Sequence, residues 1–288
     1  MESSEQYYIE QSSVTDPGEQ AALFAELPGD LAALCEVVQG LLIHVLHGSR
    51  YGVSLPAERK GQVEIAAVSG MLETIMADDS RPLIQARAPV ERLVGTCRHY
   101  SVLLCSMLRH RGVPGRVRNG FGVYLRPEQF IDHWVCEYWD AGRARWVAVD
   151  ALMDPEHRAI LGIEFDFMDT PQEQLIPAGT VWRRCREGAL DPACCGALDL
   201  WGMDYVKANL LRDFLALNKC ELLPWDGAAL TERPYGDLTG GEVALLDRIA
   251  DLTAATVDIP VVRELYASHP ELQAKRLPNR HQLAPDSR

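Results

Sequence analysis

The sequence predicts an α+β protein, with a strand-rich centre between helical segments. Three observations carry this. Apolar residues recur at helical spacing up to Leu46 and again after Leu200, residues from about 115 to 150 instead alternate and are rich in aromatic and β-branched side chains, and the texture changes at Val113-Pro114-Gly115. In order, residues 1–17 read as a flexible tail. From Pro17 to Leu46 the series Leu23, Phe24, Leu27, Leu31, Leu34, Val37, Val38, Leu41, Leu42, Val45 predicts helix. Further helices are expected over Gly61–Met76 and Thr96–Arg111. Strands follow over Arg116–Tyr124, His133–Trp139 and Ala144–Val149, with Asp140–Arg143 as the turn between the last two. Beyond Pro171 the best helices are Leu200–Leu217 and Gly241–Thr256. The expected organisation is a tail (1–17), a central domain with N-terminal helices (18–170) and a mostly helical region (171–288).

The chain of 288 residues has 28 basic and 41 acidic side chains, a net charge of −13 that argues against nucleic acid or an anionic membrane as partner. The charge is uneven: residues 1–80 carry −10 and residues 81–150 carry +5. That basic middle could attract an anionic substrate group, although a solvated face is the blander account of any one arginine. The N-terminus is acidic and polar, unlike a secretory leader, and Leu31–Leu46 is too short and too polar to span a bilayer. A cytoplasmic location is expected. Eight cysteines form no C-x-x-C and no Cys/His knuckle, so no metal site is expected and most of the thiols should be inert core residues.

Cys97 is the exception. Thr96 suits an N-cap, which puts Cys97 at the first helical position. There the helix dipole and the unpaired amides favour the ionised, nucleophilic thiol, and the same amides can donate to an oxyanion. Position alone leaves simple packing under a helix start equally open. The hairpin shifts the balance. A four-residue turn over Asp140–Arg143 pairs Trp139 with Ala144, and hence His133 with Asp150. An imidazole held by a carboxylate at one nitrogen can serve a thiol with the other. Asp132 adjoins His133 but faces the other side of its strand. His99 diverges from Cys97 on the helix and reads as supporting or solvent-facing. Cys105 and Cys136 read as core, and His110 and His157 show no partner.

The runs GTCRHYSVLLCSMLRHRGVPGRVRNGFGVY, DHWVCEYW and RWVAVDA resemble the core of the transglutaminase-like superfamily, papain-like cysteine enzymes with a Cys–His–Asp triad. The matching residues are Gly95 and Cys97; Arg109, Gly112, Val113, Pro114 and Arg116; Gly120 and Phe121; His133 and Trp134; Trp146 and Asp150. The resemblance implies a Cys-bearing helix packed on an antiparallel sheet, with Cys97, His133 and Asp150 in the catalytic positions. It implies acyl transfer through a Cys97 thioester and leaves transfer to an amine and hydrolysis both open, with a non-catalytic binding module of the same fold as the alternative. Trp134, Arg116, Arg118 and Asn119 are the candidate substrate contacts, and Gln85 is only a weak candidate for the oxyanion hole. The expected partner is a small acyl or peptide substrate, free or carrier-bound. No cofactor is expected, and no calcium-binding run of alternating acidic residues is present.

Overall fold

The computed structural model describes residues 4–254 and 257–277. The backbone divides into two compact units, the first built from residues up to 117 and 135–170, the second from residues 118–134 and from 171 onward. The second unit therefore claims a central segment that the sequence suggested would stay with the first.

The first unit contains helices α1 (Ser4–Ile9), α2 (Leu31–Leu41), α3 (Ala57–Lys60), α4 (Val68–Asp78), α5 (Cys97–His110) and α6 (Pro155–Leu161). Its strands are β1 (Leu42–His44), β2 (Leu93–Gly95), β5 (Arg145–Val149), the start of β3 (Gly115–Gly122) and the end of β4 (Phe130–Asp140). The expected tail is not loose. Tyr8 and Thr15 are fully buried, and Thr15 Oγ1 accepts from the Arg109 guanidinium at 2.8 Å. The long N-terminal helix of the sequence reading is also broken. Residues 18–26 form a 3₁₀ segment, and α2 stops at Leu41 because Leu42–His44 leaves it to pair, parallel, with Leu93–Gly95. Apolar runs on both partners made that strand look like more helix.

Helix α5 matches its expected span within a residue and is buried from Cys97 to Arg109. It packs by Cys105 against Cys136 of β4, where the two thiols meet, and burial holds the Cys136 thiol well above its ordinary range. Cys35 is likewise pushed up to about 12, by burial first and then by the Asp150 carboxylate. These thiols are core, as expected.

The β4–β5 hairpin forms, but in a different register. Trp139 pairs with Trp146 and Asp140 with Arg145, so the loop is 141–144. Asp140 stays in the strand because its Oδ1 accepts the amides of Gly142 (2.9 Å) and Arg143 (3.1 Å), and Ala144 closes the loop at a φ of 51°. Continuing this register sets Val135, not His133, across from Asp150. The shift is two residues, an even number, so it preserves which side chains share a face.

The second unit contains β6 (Leu175–Pro177), α7 (Ala178–Arg186), β7 (Cys195–Ala197), β8 (Leu200–Trp201), α8 (Met203–Leu217), α9 (Ala229–Glu232), α10 (Gly240–Thr253) and α11 (Ile259–Ser268). The expected end of α10, at Thr256, lies outside the described residues. Strand order is β6-β3-β4-β7-β8. The sheet is mixed rather than antiparallel: β7 runs parallel to β4, pairing Cys195 with Phe130. The long connection between those strands, which carries helices, permits that direction. Among the described residues no helix is long and apolar enough to cross a membrane.

One ion pair is central to the second unit. Arg118 of β3 meets Asp213 of α8 with two bonds of 2.8 Å and donates to the Thr253 carbonyl, while Asp213 Oδ1 also accepts the Asn119 amide. Asp213 is fully buried. Removing one partner strands the other's charge, so Asp213→Ala should cost about 3–5 kcal/mol. Replacing both residues by apolar side chains of similar volume should cost less. Denaturant unfolding of the two variants checks this; a larger loss in the double variant contradicts it.

Candidate active site

Cys97 is the first residue of α5 and is 9% exposed. Thr96 before it has extended backbone, as an N-cap requires. The cap is completed from the other side. The Thr96 amide donates to His99 Nδ1 at 3.0 Å, and the Thr96 hydroxyl lies 3.1 Å from the same nitrogen. An accepting Nδ1 requires a neutral ring. Burial, reinforced by the neighbouring Arg98 charge, lowers the His99 pKa to about 3. His99 is fully buried, so the solvent-facing alternative for it is incorrect. A Cβ on Gly95 would come within 2.9 Å of His99 Cβ, which gives the glycine two residues before the thiol a packing reason. Capping boxes are read from Ser/Thr followed by Glu/Gln at the third position, so a histidine there escaped that pattern.

Asp150 lies in the same unit, directly after β5, and is 1% exposed. Its Oδ1 accepts the Leu152 amide at 3.1 Å, and its own amide donates to the Phe167 carbonyl at 3.0 Å. Both bonds fix the turn that presents the carboxylate. His133 lies on β4 in the segment assigned to the second unit, 2% exposed, with the Tyr124 ring edge-on at 5.9 Å. Alternation along β4 puts His133 on the face opposite Cys136. Asp150 directly follows Val149, the partner of Cys136.

Two of the substrate candidates have structural partners. Arg116 is buried, bonds Glu137 Oε2 at 2.6 Å and lies over Trp146 at 4.1 Å from its centroid. Arg118 is the Asp213 partner described above. Neither is on a solvated face. Three of the four keep a buried polar atom without a hydrogen-bond partner among the described residues: Trp134 Nε1, Asn119 Oδ1 and, beside its ion pair, Arg116 Nη1. Asn119 Nδ2 donates to Asp132 Oδ1 at 2.6 Å, as does Asn209 Nδ2 at 2.9 Å, and the Tyr205 hydroxyl donates to Asp132 Oδ2 at 3.0 Å. Asp132 thus anchors the strand residue next to His133 to α8, a role that sequence adjacency alone did not reveal. His157, expected to lack a partner, is fully buried and bonds both Asp154 and His47. Among the described residues no group of three or more His, Cys, Asp or Glu side chains could hold a metal ion.

The site thus consists of a buried thiol at a capped helix start on an α+β scaffold. Residues 76–151 match the family model of the transglutaminase-like superfamily. The matched segment includes Cys97, His133 and Asp150. A protein-glutamine gamma-glutamyltransferase of Pseudomonas aeruginosa is 26% identical over 197 residues, covering 55% of this chain and 28% of that protein. A solved structure from Cytophaga hutchinsonii, described as a "putative cysteine protease", overlays with a TM-score of 0.36 and 13% identity, covering 62% of this chain and 46% of its own.

The buried neutral ring of His99 makes stability depend on pH. Its folded pKa of about 3 lies below the ordinary histidine value near 6.5, so the unfolded chain binds the extra proton between those limits. The stabilisation is full above about pH 6.5 and is lost as pH falls toward 3, with a slope of up to about 1.4 kcal/mol per pH unit. His99→Gln should flatten the fall in unfolding free energy between pH 6 and 4. Equal slopes in variant and wild type contradict this.

Proposed function

We propose that the protein is a cysteine acyltransferase or amidase that acts on a small acyl or peptide substrate through a Cys97 thioester. The observation that carries the reading is the position of Cys97 at the first turn of α5, with the residues on either side of it fixed by the Thr96–His99 cap. The first-turn amides of a helix have no partners of their own within the helix, so they suit an oxyanion forming on an acyl group attached to that sulfur. The completeness of the family's Cys, His and Asp positions supports the same reading.

In this mechanism His133 takes the Cys97 proton, and the sulfur attacks an amide or thioester carbonyl. The tetrahedral oxyanion is held by backbone N–H groups at the start of α5. His133 protonates the leaving group, then activates an amine or water for the second displacement, while Asp150 holds the imidazole orientation and supports its charged form. Trp134 and Asn119 remain the proposed substrate contacts, because each has a buried polar atom left over and neither is held in an ion pair. Arg116 and Arg118 leave that set, since their guanidinium groups are engaged in ion pairs. The name of the Pseudomonas relative, a protein-glutamine gamma-glutamyltransferase, makes protein-bound glutamine one donor to try. The match covers 28% of that protein, so donor and acceptor are set by experiment.

Iodoacetamide tests the reading. Alkylation at neutral pH should concentrate on Cys97, ahead of the seven other cysteines, and should fall by about 10²-fold or more in His133→Ala. Asp150→Ala should retain a small part of the wild-type rate. Slow, uniform labelling that ignores His133 supports a binding module and contradicts the enzyme.

A further inference from the structure

A second cluster of titratable groups lies in the first unit, apart from the three proposed catalytic residues. His157 Nδ1 is 2.8 Å from Asp154 Oδ1, and its Nε2 is 2.8 Å from His47 Nδ1. The Tyr51 hydroxyl donates to Asp154 Oδ2 at 2.6 Å and lies 3.1 Å from His157 Nδ1. The His47 ring stacks on His44, with centroids 4.2 Å apart and planes 25° apart. Arg92 lies over the Tyr51 ring at 5.5 Å, and Arg50 and the Tyr100 phenol are close enough to feel Tyr51 and Asp154.

We propose that His47 and His157 are positioning residues, which tie the turn carrying Asp150 to the segment carrying Cys97 and release that tie when the pair takes a second proton. The proposal rests on the catalytic roles assigned to Cys97 and Asp150 above. A continuous line of bonds joins those two residues within one unit. His44 pairs with Gly95 across β1 and β2, and the Val45 amide donates to the Gly95 carbonyl at 2.8 Å. The His47 amide closes a turn onto the His44 carbonyl at 2.8 Å, and the two imidazoles bridge to Asp154. Asp154 then caps α6, and its amide donates to the Leu152 carbonyl at 2.8 Å, one turn from Asp150. Gln39 Nε2 gives the same turn a second hold at the Ala151 carbonyl, at 3.1 Å.

Proton inventory makes the imidazole bridge sensitive to pH. The carboxylate of Asp154 requires a proton on His157 Nδ1. Burial alone would raise the Asp154 carboxyl, but the bonds from His157 and Tyr51 outweigh it and hold the pKa down to about 2. With both rings neutral, His47 Nδ1–H donates to His157 Nε2. With one added proton the facing nitrogens can still share one N–H and one lone pair, whichever ring carries the charge, and the bond survives. A second proton places N–H groups on both facing nitrogens, and the bridge breaks. Arg50, Arg92 and the stacked His44 ring oppose that second charge, whereas Asp154 favours only the first.

The test uses the full chain. In Cys97→Ala protein, long-range ¹H–¹⁵N spectra of the imidazoles should show that a proton added to one ring moves the ring-nitrogen signals of both, an effect on His157 that His47→Asn removes. In protein retaining Cys97, His47→Ala should slow iodoacetamide alkylation of Cys97 several-fold at pH 7. His47→Asn, which keeps a hydrogen-bonding group near Nδ1 but cannot titrate, should restore most of that rate and reduce its fall below pH 6.5. Independent titration of the two rings overturns the bridge. An alkylation profile unchanged in both His47 variants overturns the positioning role. If Cys97 is unreactive even in wild type, the catalytic reading fails while the imidazole titration still decides the bridge.

Discussion

The structure around the proposed nucleophile depends on one hydrogen bond, from the Thr96 amide to His99 Nδ1. It closes the first turn of α5 and so sets where the Cys97 sulfur and the first-turn amides sit. It also explains two neighbours. Gly95 is small because the His99 side chain packs where a Cβ would stand, and His99 is neutral because the bond needs a lone pair on Nδ1 and the site is dry. A carboxylate at that position would cap the helix as well in water. Buried beside the thiol it would add a negative charge where the proposed chemistry develops one, so a neutral acceptor suits this place better.

Buried charges elsewhere in the chain do structural work of a similar kind. The basic middle of the sequence suggested recruitment of an anion, yet its two most inviting arginines, Arg116 and Arg118, bond to Glu137 and Asp213. Asp132 is held by three neutral donors, from Asn119, Asn209 and Tyr205, at the strand position before His133. A carboxylate so anchored limits slippage of β4 at the residue where slippage would matter most. Gly120 belongs to the same design: a Cβ there would stand 2.6 Å from the Ile176 carbonyl oxygen, so β6 can pair with β3 only if that position stays bare.

Helix α5, β3, β4 and β5 were legible in the sequence because their signals are local: an N-cap before an apolar helical face, then alternation, then a turn with Asp and Gly. The place of Cys97 at the first position of α5 was legible for the same reason. What escaped depends on partners distant in sequence. Leu42–His44 reads as a continued helix until Leu93–Gly95 is there to pair with it. Residues 1–17 read as a tail until Arg109 is seen bonding Thr15. The hairpin register slipped by two because Asp140 can serve either as a loop residue or as the last strand residue that caps the loop, and only the observed bonds to Gly142 and Arg143 choose. Two partners of His157, Tyr51 and His47, lie more than a hundred residues upstream and escape a local reading, whereas the third, Asp154, is only three residues away.

The most direct measurement of the central claim is covalent. Wild-type protein and Cys97→Ala are incubated with thioester and glutamine-amide donors, quenched in acid, and read by intact mass followed by peptide mapping. The account predicts a mass increase equal to the donor's acyl group, confined to the peptide bearing Cys97, absent from Cys97→Ala and discharged by added amine or by water. Turnover of a donor that proceeds equally well in Cys97→Ala, or an acyl group carried on any other residue, would contradict it.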